Sequence, residues 1–124
     1  MTTRHEGSKW MTIATTTARW PSNGKGGVTA TDTASIVENS KRTLVDGILL
    51  LTAHTAATTI TIMEQDGSTT VHALTIAANQ ACPLPIPIGG ENGIDVFSGL
   101  SAKTSNAATT YVVYFRRADG SPYE

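Results

Sequence analysis

The chain has few of the residues that small proteins use for covalent cross-links or for reactive sites. Its 124 residues include one cysteine, Cys82, which excludes an intrachain disulfide and leads us to expect folding in a reducing compartment. Cys82 has no CxxC partner and no adjacent base, so we interpret it as a small packing residue. Aromatic residues make up 6% of the chain, and the core must therefore depend on Ile, Leu and Val.

Long hydrophobic runs are also missing. The most apolar stretch, GILLLTA at 47–53, is far too short to span a bilayer. The first twenty residues lack the apolar segment of a secretory signal. These two absences predict a soluble protein that is made in a cytoplasm and has no membrane partner.

Charged residues are scarce, at 15%, and they are unevenly distributed. Residues 1–27 carry four bases and one acid, a net charge of +3, whereas residues 28–124 carry five bases and nine acids, a net charge of −4. A basic segment on an acidic body can bind nucleic acid or an acidic protein surface. Because there is no RNP-like aromatic pattern, zinc-finger spacing or dense Lys/Arg run, we predict a protein partner and no nucleic acid.

No pattern of metal ligands stands out. The histidines are far apart in the chain and belong to no HExxH motif, so they are expected to be ordinary polar residues: His5, His54 and His72. The loop GGENGID at 89–95 offers oxygen ligands but lacks the D-x-D-x-D-G spacing of a calcium loop. The sequence predicts no metal site and no cofactor.

Catalytic and phosphate-binding motifs are missing as well. SGLS at 98–101 is not the GxSxG turn of a serine hydrolase, and GKGG at 24–27 is not a P-loop. Glycoside cleavage needs two acids across a cleft, but four candidate acids fall at or near turns, where acids are ordinarily solvated: Glu64, Asp66, Glu91 and Asp95. We therefore predict a protein without catalytic residues, not an enzyme.

What the sequence does contain is β-strand. Threonine, which is β-branched, accounts for 21 of the 124 residues. The clearest local pattern is a hairpin: TTITIMEQ at 58–65 alternates, Asp66-Gly67 is a favoured turn pair, and STTVHALTIAA at 68–78 returns antiparallel.

Other segments predict further strands. We expect a short strand at 33–40, an inner strand covered on both faces around Leu49–Leu51, one or two strands at 93–103, and a last strand at 109–117. PLPIPIGG at 83–90 has prolines at alternate positions and is expected to be an edge strand with Leu84, Ile86 and Ile88 facing inward. About seven or eight short strands without helices predict an all-β fold, an antiparallel β-sandwich or jelly-roll with an extended N-terminal arm.

The predicted division of the chain is an arm and linker at 1–27, a β-body at 28–117 and a polar tail at 118–124. The arm holds both tryptophans and ends in the breaker-rich PSNGKGG. Those tryptophans could be buried against a neighbouring subunit or against their own domain, and the sequence leaves both open. The candidate partner-binding residues are Arg4, Trp10, Arg19 and Trp20.

From Arg42 onward the order of segments resembles that of capsid decoration, or cement, proteins of tailed phages. The resemblance lies in an apolar strand, a polar turn, a Pro-rich edge and an alternating last strand, and most of all in Gly93-Ile94, Gly99-Leu100 and residues 111–115. It implies a non-enzymatic virion protein on the capsid surface, with the major capsid protein and its own copies, most typically in a trimer, as partners. It carries over no catalytic residues.

Two other functions remain as alternatives. One is a tail, neck or fibre component of the virion, with or without glycan binding. The glycan-binding form has less support, because Tyr111 and Tyr114 fall on opposite faces of their strand and the tryptophans lie in the predicted arm. The other is a small hydrolase or metal-dependent enzyme, which would have to use a site without a recognisable motif.

Overall fold

The computed structural model describes residues 9–21, 30–31, 42–88, 93–97 and 99–119. Within these ranges the protein is all-β, every strand pairing is antiparallel, and there is no helix. No membrane-spanning helix occurs in these ranges either. The strands are β1 (Lys9–Ile13), β2 (Trp20–Pro21), β3 (Ala30–Thr31), β4 (Thr43–Thr52), β5 (Thr58–Met63), β6 (Thr70–Ile76), β7 (Leu84–Ile86), β8 (Ile94–Val96), β9 (Ser101–Thr104) and β10 (Thr110–Arg117).

The largest sheet has five strands. Its order is β1-β10-β4-β7. β8 also pairs with β4, at residues 43–45, whereas β7 pairs with β4 at residues 48–50. The long strand β4 therefore has neighbours on both edges, as predicted for the segment around Leu49–Leu51. Leu50 is fully buried, but Leu49 and Leu51 are only partly buried, so the predicted cover on the second face is incomplete.

The second sheet has three strands in the order β6-β5-β9. The predicted hairpin is confirmed in β5 and β6, whose register runs from Thr58 opposite Ile76 to Met63 opposite Thr70. Gly67 in the turn has a φ of 74°, a left-handed conformation that glycine adopts without steric cost. Asp66 also stabilises the turn, because its Oδ1 accepts hydrogen bonds from the backbone N–H groups of Ser68 (2.9 Å) and Thr69 (2.8 Å).

The proline-rich edge strand is confirmed. β7 pairs with β4 alone and ends the strand path of the five-stranded sheet. Pro85 within β7 and the flanking Pro83 and Pro87 are exposed, while Leu84, Ile86 and Ile88 pack against the hydrophobic core. The sequence 93–103 forms two strands in different sheets, β8 and β9, and the last strand is β10 as predicted.

The N-terminal region differs from the predicted arm. β1 pairs along its whole length with β10, from Lys9 opposite Phe115 to Ile13 opposite Tyr111. Met11 and Ile13 are fully buried in the core. Residues 9–13 are thus an integral strand of the main sheet, because alternate apolar side chains give this strand a buried face. The strand predicted at 33–40 lies outside the described residues.

One hydrophobic core receives side chains from both large sheets. Its largest fully buried members include Tyr111 and Phe115 from β10 and Leu50 from β4, together with Ile60 and Ile62 from β5. Tyr111 also reaches across to the three-stranded sheet, since its hydroxyl donates to the Lys103 carbonyl oxygen at 2.7 Å. Burial of this kind is the dominant stabilising term of a small domain.

Candidate interaction surface

The five-stranded sheet has a second face, turned away from the core, that we call the outer face. The register places the following residues on it: Trp10 and Thr12 of β1, Leu49 of β4, and Val112 and Tyr114 of β10. Cross-strand neighbours on one face of a sheet have side chains in contact range. The outer face therefore carries an apolar row in which Trp10 is exposed, Tyr114 and Leu49 are partly exposed and Val112 is buried, with the polar Thr12 beside them.

Trp10 is the most prominent residue of the outer face. It lies directly opposite Tyr114 and retains 43% of its surface exposed. On the other side of Tyr114 the register places Gly47, and a Cβ built at Gly47 would lie 3.8 Å from the Tyr114 Cδ2 atom. The tyrosine ring thus packs beside a strand position that has no side chain. The result is an aromatic pair on a rigid sheet, open to solvent on the tryptophan side.

Ion pairs lie at the charged margin of the outer face. Arg116 Nε is 2.9 Å from Asp46 Oδ1, and both side chains are mostly buried. Closer to the end of the sheet, Arg42 Nη2 is 2.6 Å from Asp95 Oδ2, and about half of each side chain is exposed. The hydrogen bond and charge of Arg42 lower the pKa of Asp95, and Asp95 in turn raises the pKa of Arg42. Charges therefore border the apolar row, as at the rim of many protein interfaces.

Trp20 is partly buried and packs against its own domain. Its indole Nε1 donates a hydrogen bond to the Gln65 carbonyl oxygen at 2.8 Å, and its ring approaches Gly67 so closely that a Cβ there would lie 2.7 Å from Cζ2. Of the two possibilities that the sequence left open for this residue, the structure shows the contact within the domain. Trp20 is thereby a packing residue of the β5–β6 turn.

Arg19 is held close to Trp20 by its backbone. Its N–H donates to the Ala102 carbonyl at 2.9 Å, and the Ala102 N–H donates back to the Arg19 carbonyl at 3.0 Å. The structure thus brings Arg19 and Trp20 together beside β9 and places Trp10 on the other sheet. Arg4 lies outside the described residues.

Two other titratable groups have shifted pKa values, and in both the cause is burial or hydrogen bonding within the fold. Burial raises the pKa of Tyr111, whose hydroxyl is directed at backbone carbonyls. Hydrogen bonds from Thr69, first from its side chain and then from its backbone, lower the pKa of Asp66 to about 2. Within the described ranges no group of three or more His, Cys, Asp or Glu residues could hold a metal ion.

Trp10 was a candidate partner-binding residue from the sequence, whereas its companions Tyr114 and Leu49 were not. A signal for Tyr114 was available, because the alternation of the last strand puts residues 112 and 114 on the face opposite Tyr111. No local signal could pair Trp10 with Tyr114, which are more than a hundred residues apart in the chain. No protein family, curated protein or solved structure matches this chain.

Proposed function

We propose that this protein is a non-enzymatic structural component of a tailed-phage virion that decorates the outer shell of the capsid. In this proposal the major capsid protein binds the outer face, and further copies of the chain reinforce the attachment. The phage capsid is proposed as the binding partner because the body sequence resembles decoration proteins. The outer face is proposed as the binding surface because Trp10 is exposed there.

The observation that carries the proposal is the exposure of Trp10 on a paired strand. Tryptophan is among the residues that contribute most to protein–protein binding when a partner desolvates them. A tryptophan on a sheet is already ordered before binding, so little conformational entropy is lost on association. Trp10, which the sequence predicted to lie on an extended arm, thus serves in this proposal as an anchor on the rigid β-body.

We also infer that the two large sheets face each other as a β-sandwich, in keeping with the jelly-roll class expected from the sequence. Side chains of both sheets enter one core cluster, and the Tyr111 hydroxyl spans from β10 to β9. Such a body exposes the outer face of the five-stranded sheet to a partner while its other face is buried.

A binding assay with purified particles that lack the protein tests this proposal. The Trp10→Ala variant removes the anchor, and Thr12→Ala is the matched control because Thr12 lies on the same strand and the same face. We expect Trp10→Ala to weaken binding at least about 30-fold and Thr12→Ala to bind within about twofold of the unmodified protein. Equal binding by all three proteins would refute the role of the outer face.

A second candidate function is a tail, neck or fibre component that binds glycans. The specific observation in its favour is the aromatic pair of Trp10 and Tyr114, since exposed rings on a strand face suit the apolar face of a sugar. A glycan array with the unmodified protein and Trp10→Ala distinguishes the two functions. Glycan signals that vanish in the variant, together with no affinity for capsids, would favour this second candidate.

A further inference from the structure

The open edge of the three-stranded sheet lies at β6. Among the described strands β6 pairs only with β5, so the backbone on its other side has no strand partner. Thr70, His72, Ala73 and Thr75 are exposed. A free edge offers unpaired N–H and C=O groups that can accept another strand.

The other edges differ from β6 in how they are protected. β7 carries prolines, which cannot donate to a ladder, and β1 includes a lysine, Lys9. The far side of β9 is occupied by the N-terminal segment, through the bridge between Arg19 and Ala102 and a 3.0 Å hydrogen bond from the Thr104 N–H to the Thr15 carbonyl. β6, with the sequence TVHALTI, contains no Pro, Gly, Lys, Arg, Asp or Glu. Among the described edge strands, β6 therefore has the fewest residues that would prevent pairing with another strand.

A large exposed side chain lies at the same margin of the molecule. Phe97 directly follows β8, the strand of the five-stranded sheet that contacts β6, and 77% of its surface is exposed. A phenylalanine this exposed leaves much of its apolar surface in contact with water. A partner that covers the ring removes that surface from water, which favours binding through the hydrophobic effect. The open strand edge and the exposed ring together form a surface suited to burial.

We propose that β6 pairs antiparallel with β6 of a second copy of this chain, and that Phe97 is covered in the same interface. An antiparallel pair of identical strands has two-fold symmetry, so the same seven-residue edge serves on both sides. The strand carries no acidic or basic residue that would need an opposite charge, and Ala73 near its centre allows close approach. Pairing extends the three-stranded sheet to six strands across the dimer.

This inference deepens the self-association in the proposed function and names a dimer where the sequence resemblance implies a trimer. It is tested without capsids, so its failure leaves the proposed shell binding standing. The mass of the full-length protein is measured by analytical ultracentrifugation over a wide concentration range. We expect twice the 13.0 kDa of one chain at high concentration.

The decisive variant is Ala73→Lys, which places a charge on the open edge at an exposed position. Its matched control is Thr59→Lys, because Thr59 lies on β5, one strand away from the edge, between the uncharged Thr75 of β6 and the uncharged Ser105 on its other side. We expect Ala73→Lys to weaken dimerisation at least about tenfold and Thr59→Lys to leave the dimer unchanged. Circular dichroism verifies that both variants are folded.

A second variant, Phe97→Ser, tests the interface from the loop after β8, where a substitution leaves strand pairing within the subunit intact. We expect it to weaken the dimer as well. A monomeric or trimeric unmodified protein would overturn the proposal. So would equal loss of the dimer in Ala73→Lys and Thr59→Lys, because the interface would then be a sheet face and not the edge.

Discussion

The hydroxyl of Tyr111 donates a hydrogen bond to the Lys103 carbonyl oxygen, 2.7 Å away, and thereby connects the five-stranded sheet to β9 of the three-stranded sheet. The ring of Tyr111 is fully buried in the core. This one side chain therefore supplies both apolar packing and a polar contact between the sheets, in a region from which water is excluded.

Removing that hydroxyl should destabilise the fold. In Tyr111→Phe the Lys103 carbonyl loses its side-chain donor inside the protein, and we expect the free energy of unfolding to fall by about 1–3 kcal/mol. The measurement is urea denaturation. Tyr114→Phe is the control, since Tyr114 is on the outer face and partly exposed, and its change should stay within about 0.5 kcal/mol. Equal losses in the two variants would contradict the role given to the Tyr111 hydroxyl.

Tyr111 should also govern part of the alkaline stability. Burial raises its pKa in the folded protein above the ordinary tyrosine value of 10.0, so at high pH the folded state keeps a proton that the unfolded state releases. The stabilisation is complete below about pH 10 and is lost above it, at about 1.4 kcal/mol per pH unit. Unfolding titrations between pH 8 and 11 should show a shallower loss for Tyr111→Phe than for Tyr114→Phe. Parallel curves would speak against this assignment.

The β5–β6 turn should be sensitive to a methyl group at Gly67. An alanine there must adopt a positive φ and its Cβ would lie 2.7 Å from Trp20 Cζ2, so we expect a loss of about 2 kcal/mol or more in the free energy of unfolding. Gly47→Ala is the matched control, because its Cβ meets Tyr114 at an ordinary 3.8 Å and its φ is not in the left-handed region. It should change stability by no more than about 1 kcal/mol. A Gly67→Ala protein as stable as Gly47→Ala would show that Trp20 does not pack on this turn.

Asp66 should make the turn sensitive to acid. Hydrogen bonds from Thr69 and Ser68 lower its folded-state pKa to about 2, below the ordinary aspartate value of 3.8. A group with a depressed folded pKa stabilises above its unfolded pKa, and that stabilisation is lost as the pH falls from about 4 to about 2. Melting temperatures across this range should fall less for Asp66→Ala than for the unmodified protein. An unchanged acid dependence would mean that these hydrogen bonds do not persist in solution.

The parts of the fold that the sequence predicted correctly are those specified by local chemistry. Asp66-Gly67 identifies a hairpin because few residue pairs suit its turn, and the alternate prolines identify β7 as an edge because proline cannot donate to a ladder. Both features act within a few residues of the chain. They could therefore be interpreted without knowledge of the rest of the structure.

The N-terminal region was harder to predict because its structure depends on distant partners. The +3 charge and the glycine-rich stretch after Pro21 suggested a separate arm, but the strand partner of β1 is residues 111–115 at the other end of the chain. Trp20 likewise packs on a turn 45 residues away through its bond to Gln65. Composition cannot reveal such pairings. The outer face, which needs β1 beside β10, was accessible only from the structure.

The most direct test of the proposed function is the position and copy number of this protein in purified virus particles. Quantitative mass spectrometry gives the number of copies, and labelling with an antibody in the electron microscope gives their location. The account predicts on the order of hundreds of copies distributed over the capsid shell, as a repeated lattice of binding sites requires. About a dozen copies or fewer, confined to the neck or tail, or no copies in the particle, would contradict it.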